Sequence, residues 1–206
     1  EDYINIIEKK IIENGLVNIS KCIKEINPTK RVFIAFDGVA PVAKLEQQRT
    51  RRYKSQFTEK VNKEILPEYK KTFDRCAITP GTNFMTKLCK QIKNHFSKPT
   101  KYNVADIFIS CSDEQGEGEH KIYQHIRNNS NDETSIVYGL DADLIMLTLN
   151  HLKYNKNLYL FRETPEFIKS IDKSLNPNEL YLLNIPKLKY IISEHFYDNS
   201  NNDTCS

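Results

Sequence analysis

An α/β fold, with a parallel sheet and helices on both faces, is predicted by three features of the sequence. Apolar runs of strand length recur at RVFIAF (31–36), DIFISCS (106–112), SIVYGL (135–140) and NLYLF (157–161). Stretches of helical period separate them. The first three runs lead straight into acid- and glycine-bearing loops, at the end of the strand where parallel sheets gather their ligands.

The elements follow in order. Residues 3–26 carry Ile4, Ile7, Ile11, Ile12, Ile19, Ile23 and Ile26 at helical spacing, and Asn27-Pro28 stops the pattern. RVFIAF is continuously apolar, as a strand buried on both faces must be, and ends in Asp37-Gly38. A charged, helix-favouring stretch from about 42 to 66 closes near Pro67. Thr79-Pro80-Gly81-Thr82 makes a turn and a cap for the helix NFMTKLCKQIKNHF. After DIFISCS, the loop holding Gly116 and Gly118 opens a helix that runs to about 127. SIVYGL is followed by the short apolar helix ADLIMLTLN, and NLYLF is the fourth strand. The polar residues 162–179 read as a linker or surface insertion, and 186–196 as a last helix.

With 206 residues and 39% hydrophobic content the chain can bury one substantial core. A single domain over 1–197 is expected, with 198–206 a disordered polar tail. The net charge of +3 is too small to indicate a partner until the charges are placed. No apolar run reaches the length of a membrane-spanning helix, and no membrane partner is expected. The start EDYINIIEKK is not a secretory signal, and its lack of a Met suggests a chain cut from a longer one. Cys22, Cys76, Cys89, Cys111 and Cys205 are odd in number and scattered, which fits reduced thiols of an intracellular protein, nuclear or cytoplasmic. His120 and His125 are five apart and make a poor zinc pair.

Asp37, Glu117, Glu119, Asp141 and Asp143 all stand at strand-to-helix junctions. Asp141 and Asp143, two apart on extended backbone, can face one ion; alone, one of them would read as a helix cap. Glu117 and Glu119 would diverge on a regular helix, but Gly116 and Gly118 permit a turn that aims both into one cleft. Alone, they would read as first-turn acids complementing the helix dipole. The recurrence of acids at successive junctions favours a divalent-metal site, since carboxylates gathered in one pocket stay ionised only with cations among them.

Lys44, Gln48, Arg51 and Arg52 fall at i, i+4, i+7 and i+8, along one face of the helix that follows Asp37. Such a stripe can be a plain solvated face. Beside a metal site, its lysine and arginine forks suit a terminal phosphate. A metal pocket next to a phosphate grip suggests a nuclease, because phosphodiester hydrolysis needs a deprotonated water and neutralisation of the departing oxygen.

The segments DGVAPVAKLEQQRTRRYKS, ITPGTNFM, SDEQGEGEHKIYQHIR and VYGLDADLIML, in that order over residues 32–149, resemble the amino-terminal catalytic region of the Xrn-type 5′→3′ exoribonucleases. The resemblance implies a PIN/FEN-like nuclease fold and magnesium-dependent hydrolysis of single-stranded RNA bearing a 5′ monophosphate, releasing mononucleotides. It implies two magnesium ions, with manganese as the alternative, at Asp37, Glu117, Glu119, Asp141 and Asp143. It assigns Lys44, Gln48, Arg51 and Arg52 to a 5′-phosphate pocket. Val42 stands where the family commonly has an arginine, and Gln115 where it has a proline. The family's opening strand, with its own aspartate and histidine, and its downstream Gly-Asn-Asp segment are absent. The chain is therefore expected to be truncated at both ends, with flanking segments of the same polypeptide as its partners and part of the acidic set missing. A non-catalytic RNA-binding scaffold and a flap-type DNA endonuclease are the alternatives.

Overall fold

In a computed structural model, the described residues are 2–66, 73–129, 133–166 and 168–202. They form two compact units, residues 1–121 and 122–206.

The first unit begins with helix α1 (Asp2–Ile26), which buries Ile12 and Ile23. Asn27, at φ 49°, ends it, its N–H returning to the Ile23 carbonyl at 2.9 Å, a left-handed cap of the kind asparagine tolerates. Strand β1 (Arg31–Ala35) pairs in parallel with β2 (Asp106–Ser110), from Arg31 opposite Asp106 to Ala35 opposite Ser110. Between them come α2 (Val42–Ile65), a short 3-10 turn (Arg75–Ala77), α3 (Asn83–His95) and a second 3-10 turn (Pro99–Tyr102). The Thr82 hydroxyl accepts the Met85 N–H at the start of α3, the cap expected from the turn sequence. Helix α3 buries Phe84, Met85, Cys89 and Ile92 against α1 and the strands. Helix α2 buries no residue at all, so its charged faces remain available to solvent or ligand.

Helix α4 (Gly118–Asn128) starts in the first unit, and its residues from Ile122 belong to the second. There Tyr123 joins Val137, Leu144, Leu152, Leu158, Leu160 and Ile185 in the core. The Tyr123 and Thr148 hydroxyls are 2.6 Å apart, and Thr148 also donates to the Leu144 carbonyl, so these buried polar groups are satisfied. Strand β3 (Ser135–Tyr138) leads to α5 (Asp143–His151) and β4 (Leu158–Glu163), then a single turn α6 (Ile168–Ile171), β5 (Leu180–Asn184) and α7 (Ile185–Asn202).

The α/β class holds, with parallel pairing of β1 with β2 and of β3 with β4. Two features differ from expectation. Residues 162–179 are not wholly a linker, since β4 reaches Glu163 and α6 lies within them. Strand β5 is an additional strand and pairs antiparallel to β4, so that sheet is mixed. Residues read as the tail from 198 fall in α7 as far as Asn202, and 203–206 lie outside the described residues. No described helix is long and apolar enough to cross a membrane.

Among the described residues, Cys22, Cys76, Cys89 and Cys111 form no disulfide, and Cys205 lies outside them. Burial and the neighbouring Cys89 push the Cys111 thiol up to about 12. It is therefore a protonated, inert core residue at neutral pH.

Candidate metal and phosphate site

Because β1 and β2 are parallel neighbours, the chain leaves both at the same edge, and the two following loops meet. The Phe36 N–H donates to the Ser110 carbonyl at 2.9 Å, the Gly38 N–H to the Gly116 carbonyl at 2.8 Å, and the Gly116 N–H to the Val39 carbonyl at 3.4 Å. Gly116 holds φ +97°, a region that glycine enters without steric cost. Gly38 has another reason to be glycine. A Cβ there would lie 1.8 Å from the Glu114 carbonyl oxygen. Gly118 likewise has no room to spare, since its Cβ would stand 3.2 Å from the Asp37 carboxylate and 3.4 Å from the Ala35 carbonyl oxygen. At Gly118 close approach, not conformational freedom, calls for glycine.

The interlocked loops set the acids. Asp37 Oδ1 accepts the Gly118 N–H at 2.7 Å, which pins its carboxylate to the backbone between Glu117 and Glu119. The Glu117 side chain is 12% exposed, and the Lys44 ammonium lies 2.7 Å from its Oε2. A buried carboxylate needs such a cation nearby. The His120 Nδ1 is 3.3 Å from Glu117 Oε2 and 3.9 Å from Glu119 Oε1. One ligand atom from each of Glu117, Glu119 and His120 falls within 4.8 Å of the others, a spacing that a divalent cation can bridge.

A cavity of about 480 Å³ adjoins Asp37. Gln48, Arg51 and Arg52 of α2 line one wall; Arg75 and Thr79 contribute from the segment before α3. Gln48 Oε1 accepts from the Arg52 guanidinium at 3.4 Å. The Cys76 thiol in the same wall is raised, first by burial and then by its hydrogen bond to Asp74, while the Arg52 charge beside it pulls the other way.

In the second unit Asp141 stands in the loop before α5, and Asp143 is the first residue of that helix. Asp141 Oδ1 accepts the Asp143 N–H at 3.2 Å, so Asp141 serves as a local cap while both residues remain exposed. Arg162 anchors that loop by donating to the Leu140 carbonyl at 2.8 Å.

The family described as "XRN 5'-3' exonuclease N-terminus" matches residues 2–164. The chain belongs to this family. It is 35% identical to 5'-3' exoribonuclease 1 of Saccharomyces cerevisiae over 207 residues, covering 92% of this chain and 13% of the relative. With 5'-3' exoribonuclease 1 of Homo sapiens the identity is 33% over 214 residues, 94% of this chain and 12% of the relative. With 5'-3' exoribonuclease 2 of Schizosaccharomyces pombe it is 39% over 152 residues, 60% of this chain and 15% of the relative. The chain thus spans a small part of the length of the curated relatives it matches.

Within this XRN-family chain, the structure seats Asp37 and Glu117 on one pair of interlocked loops, with Glu119 in the first turn of α4 directly after them, and places Gln48, Arg51 and Arg52 on a shared cavity wall. Lys44 is the exception on the stripe, because it pairs with Glu117 and is not among the cavity's lining residues. Three contributors escaped the sequence reading. His120 makes a poor zinc pair with His125, yet it lies three residues after Glu117, within reach of its carboxylate. Arg75 sits outside the helical stripe. Lys121 donates to the Phe36 carbonyl at 3.0 Å and the Cys111 carbonyl at 2.8 Å, joining the ends of the two strands beneath the acids.

Lys121→Met keeps the length and apolar stem of the side chain but leaves both carbonyls without this donor. Hydrogen bonds to a charged group contribute about 1.5–3 kcal/mol each, so losing both is expected to cost about 3–6 kcal/mol. Thermal denaturation of the Met and Arg variants checks this, with Arg expected to retain more of the stability.

Proposed function

We propose that this chain is the amino-terminal part of a 5′→3′ exoribonuclease that hydrolyses single-stranded RNA carrying a 5′ monophosphate and releases mononucleotides. One observation carries the reading: Asp37 is shared between the carboxylate loops and the cavity walled by Gln48, Arg51 and Arg52. A phosphate held in that cavity is placed beside the acids.

The donor set fits magnesium. It is dominated by carboxylate oxygens, which hard cations prefer, and an ammonium already stands against the most buried of them. Asp37, Glu117 and Glu119 would hold the ions, two in number, and the resemblance of the VYGLDADLIML segment to the family supports a metal-binding role for Asp141 and Asp143 as well. When bound, magnesium supplies an activated water and neutralises charge on the leaving oxygen. Arg51 and Arg52 bind the doubly charged terminal phosphate, and Gln48 orients Arg52. The reduced thiols fit an intracellular setting, and residues 1–197 form the family's nuclease portion.

The test is degradation of 5′-phosphorylated against 5′-hydroxyl RNA, with magnesium, by the polypeptide that carries this chain. Arg51→Ala combined with Arg52→Ala is expected to slow the phosphorylated substrate on the order of a hundredfold, from two lost charge-assisted contacts. The hydroxyl substrate should change little. Equal rates on both ends in the unaltered protein would sink the reading.

A further inference from the structure

We infer that Arg75 is a third guanidinium of the terminal-phosphate cavity and helps that cavity distinguish a 5′ phosphate from a 5′ hydroxyl. This rests on the function proposed above and goes beyond it, since Arg75 lies outside the helical stripe of α2 and outside the four short segments that assign the phosphate pocket.

Arg75 reaches the cavity from the wall formed by the 3-10 turn Arg75–Ala77, whereas Gln48, Arg51 and Arg52 belong to α2. The turn is well braced. Asp74 Oδ1 accepts the Cys76 N–H at 2.9 Å, and the Asp74 and Arg75 carbonyls accept from Ala77 and Ile78. The Thr82 hydroxyl donates to the Ala77 carbonyl at 2.5 Å, which ties the turn to the capped start of α3. Phe73, just before the turn, packs on buried Phe84 with ring centroids 5.1 Å apart. Little conformational freedom in the backbone is lost when the side chain engages a ligand.

The charge distribution indicates which cavity an anion would choose. Arg75, Arg51 and Lys54 also border a second cavity of about 420 Å³, but there Asp74 and Glu59 offset two of the three basic groups. In the first cavity Arg51, Arg52 and Arg75 face a single carboxylate, Asp37. A phosphate monoester carries up to two negative charges near neutral pH and an internal diester only one. Cations on two walls therefore favour the chain end over the internal backbone. Guanidinium forks add directional contacts to a monoester's free oxygens.

The experiment is equilibrium binding of this chain to a labelled oligoribonucleotide with a 5′ phosphate or a 5′ hydroxyl, in EDTA so that no hydrolysis occurs. Arg75→Ala is expected to weaken binding of the phosphorylated strand about tenfold, the scale of one charge-assisted contact, and to leave the hydroxyl strand unchanged. Arg75→Lys should recover part of the loss, since it keeps the charge without the fork. An equal loss on both strands, or no loss while Arg51→Ala weakens the phosphorylated strand alone, would overturn the role of Arg75 and leave the proposed function standing. If the unaltered chain binds both strands equally, the terminal-phosphate reading itself falls.

Discussion

Replacing Glu117 and Glu119 together by glutamine is expected to abolish hydrolysis while leaving RNA binding in place. Glutamine preserves the side-chain volume and one carbonyl oxygen but removes two negative charges from a site where donor atoms lie within 4.8 Å of one another. Metal-assisted stabilisation of the transition state is worth several kcal/mol. A loss of about 4 kcal/mol corresponds to a rate fall on the order of a thousandfold. The Lys44 ammonium, 2.7 Å from Glu117 in the unaltered protein, would then face a neutral amide. Glu119→Gln alone leaves that ion pair intact and separates the loss of metal binding from the loss of the pair. Two measurements decide the matter: the single-turnover rate with saturating magnesium, and the shift in melting temperature on adding manganese. The double variant should show neither appreciable turnover nor a metal-dependent shift. Retention of both would remove Glu117 and Glu119 from the metal site.

Much of this arrangement was legible in the sequence because its elements are long and locally encoded. The apolar runs that became β1 to β4 supply buried positions such as Ile34, Val137, Leu158 and Leu160, although Phe108 and Tyr138 stay exposed, and the loops after the first three show their acids plainly. Strand β5 was hidden for a physical reason. LYLLN is short, leaves Leu182 half exposed, and follows a polar stretch, so nothing local marks it apart from a loop; its pairing with β4 is what makes it a strand. Helical spacing likewise put Lys44 on one face with Gln48, Arg51 and Arg52. It could not show that the ammonium of Lys44 reaches a carboxylate 73 residues away. Lys121 and Arg75 belong to the same class. Their roles come from backbone carbonyls and a cavity wall contributed by distant segments, and neither leaves a periodic trace.

The other large effect is expected from one added methyl group. Gly38→Ala places a Cβ 1.8 Å from the Glu114 carbonyl oxygen and 2.9 Å from its carbon, with the Gly116 carbonyl oxygen at 3.1 Å. All three are backbone atoms, so no side-chain rotation relieves the clash and the loops after β1 and β2 must separate. That separation stretches the Gly38–Gly116 and Gly116–Val39 hydrogen bonds and draws Asp37 away from the Gly118 N–H. Overpacking costs about 1–3 kcal/mol where side chains can adjust, and a backbone clash with lost hydrogen bonds belongs at or above the upper end. Gly15→Ala is the matched control. It lies within α1 with nothing within 4 Å of its added Cβ, and should stabilise the chain by about 0.5–1 kcal/mol through helix propensity. Chemical denaturation of the two variants should therefore move the midpoint in opposite directions. Hydrolysis should fall in Gly38→Ala and hold in Gly15→Ala, because of the two positions Gly38 alone borders the loop that carries Asp37. A Gly38→Ala protein with unaltered stability and activity would mean that the two loops do not interlock as described.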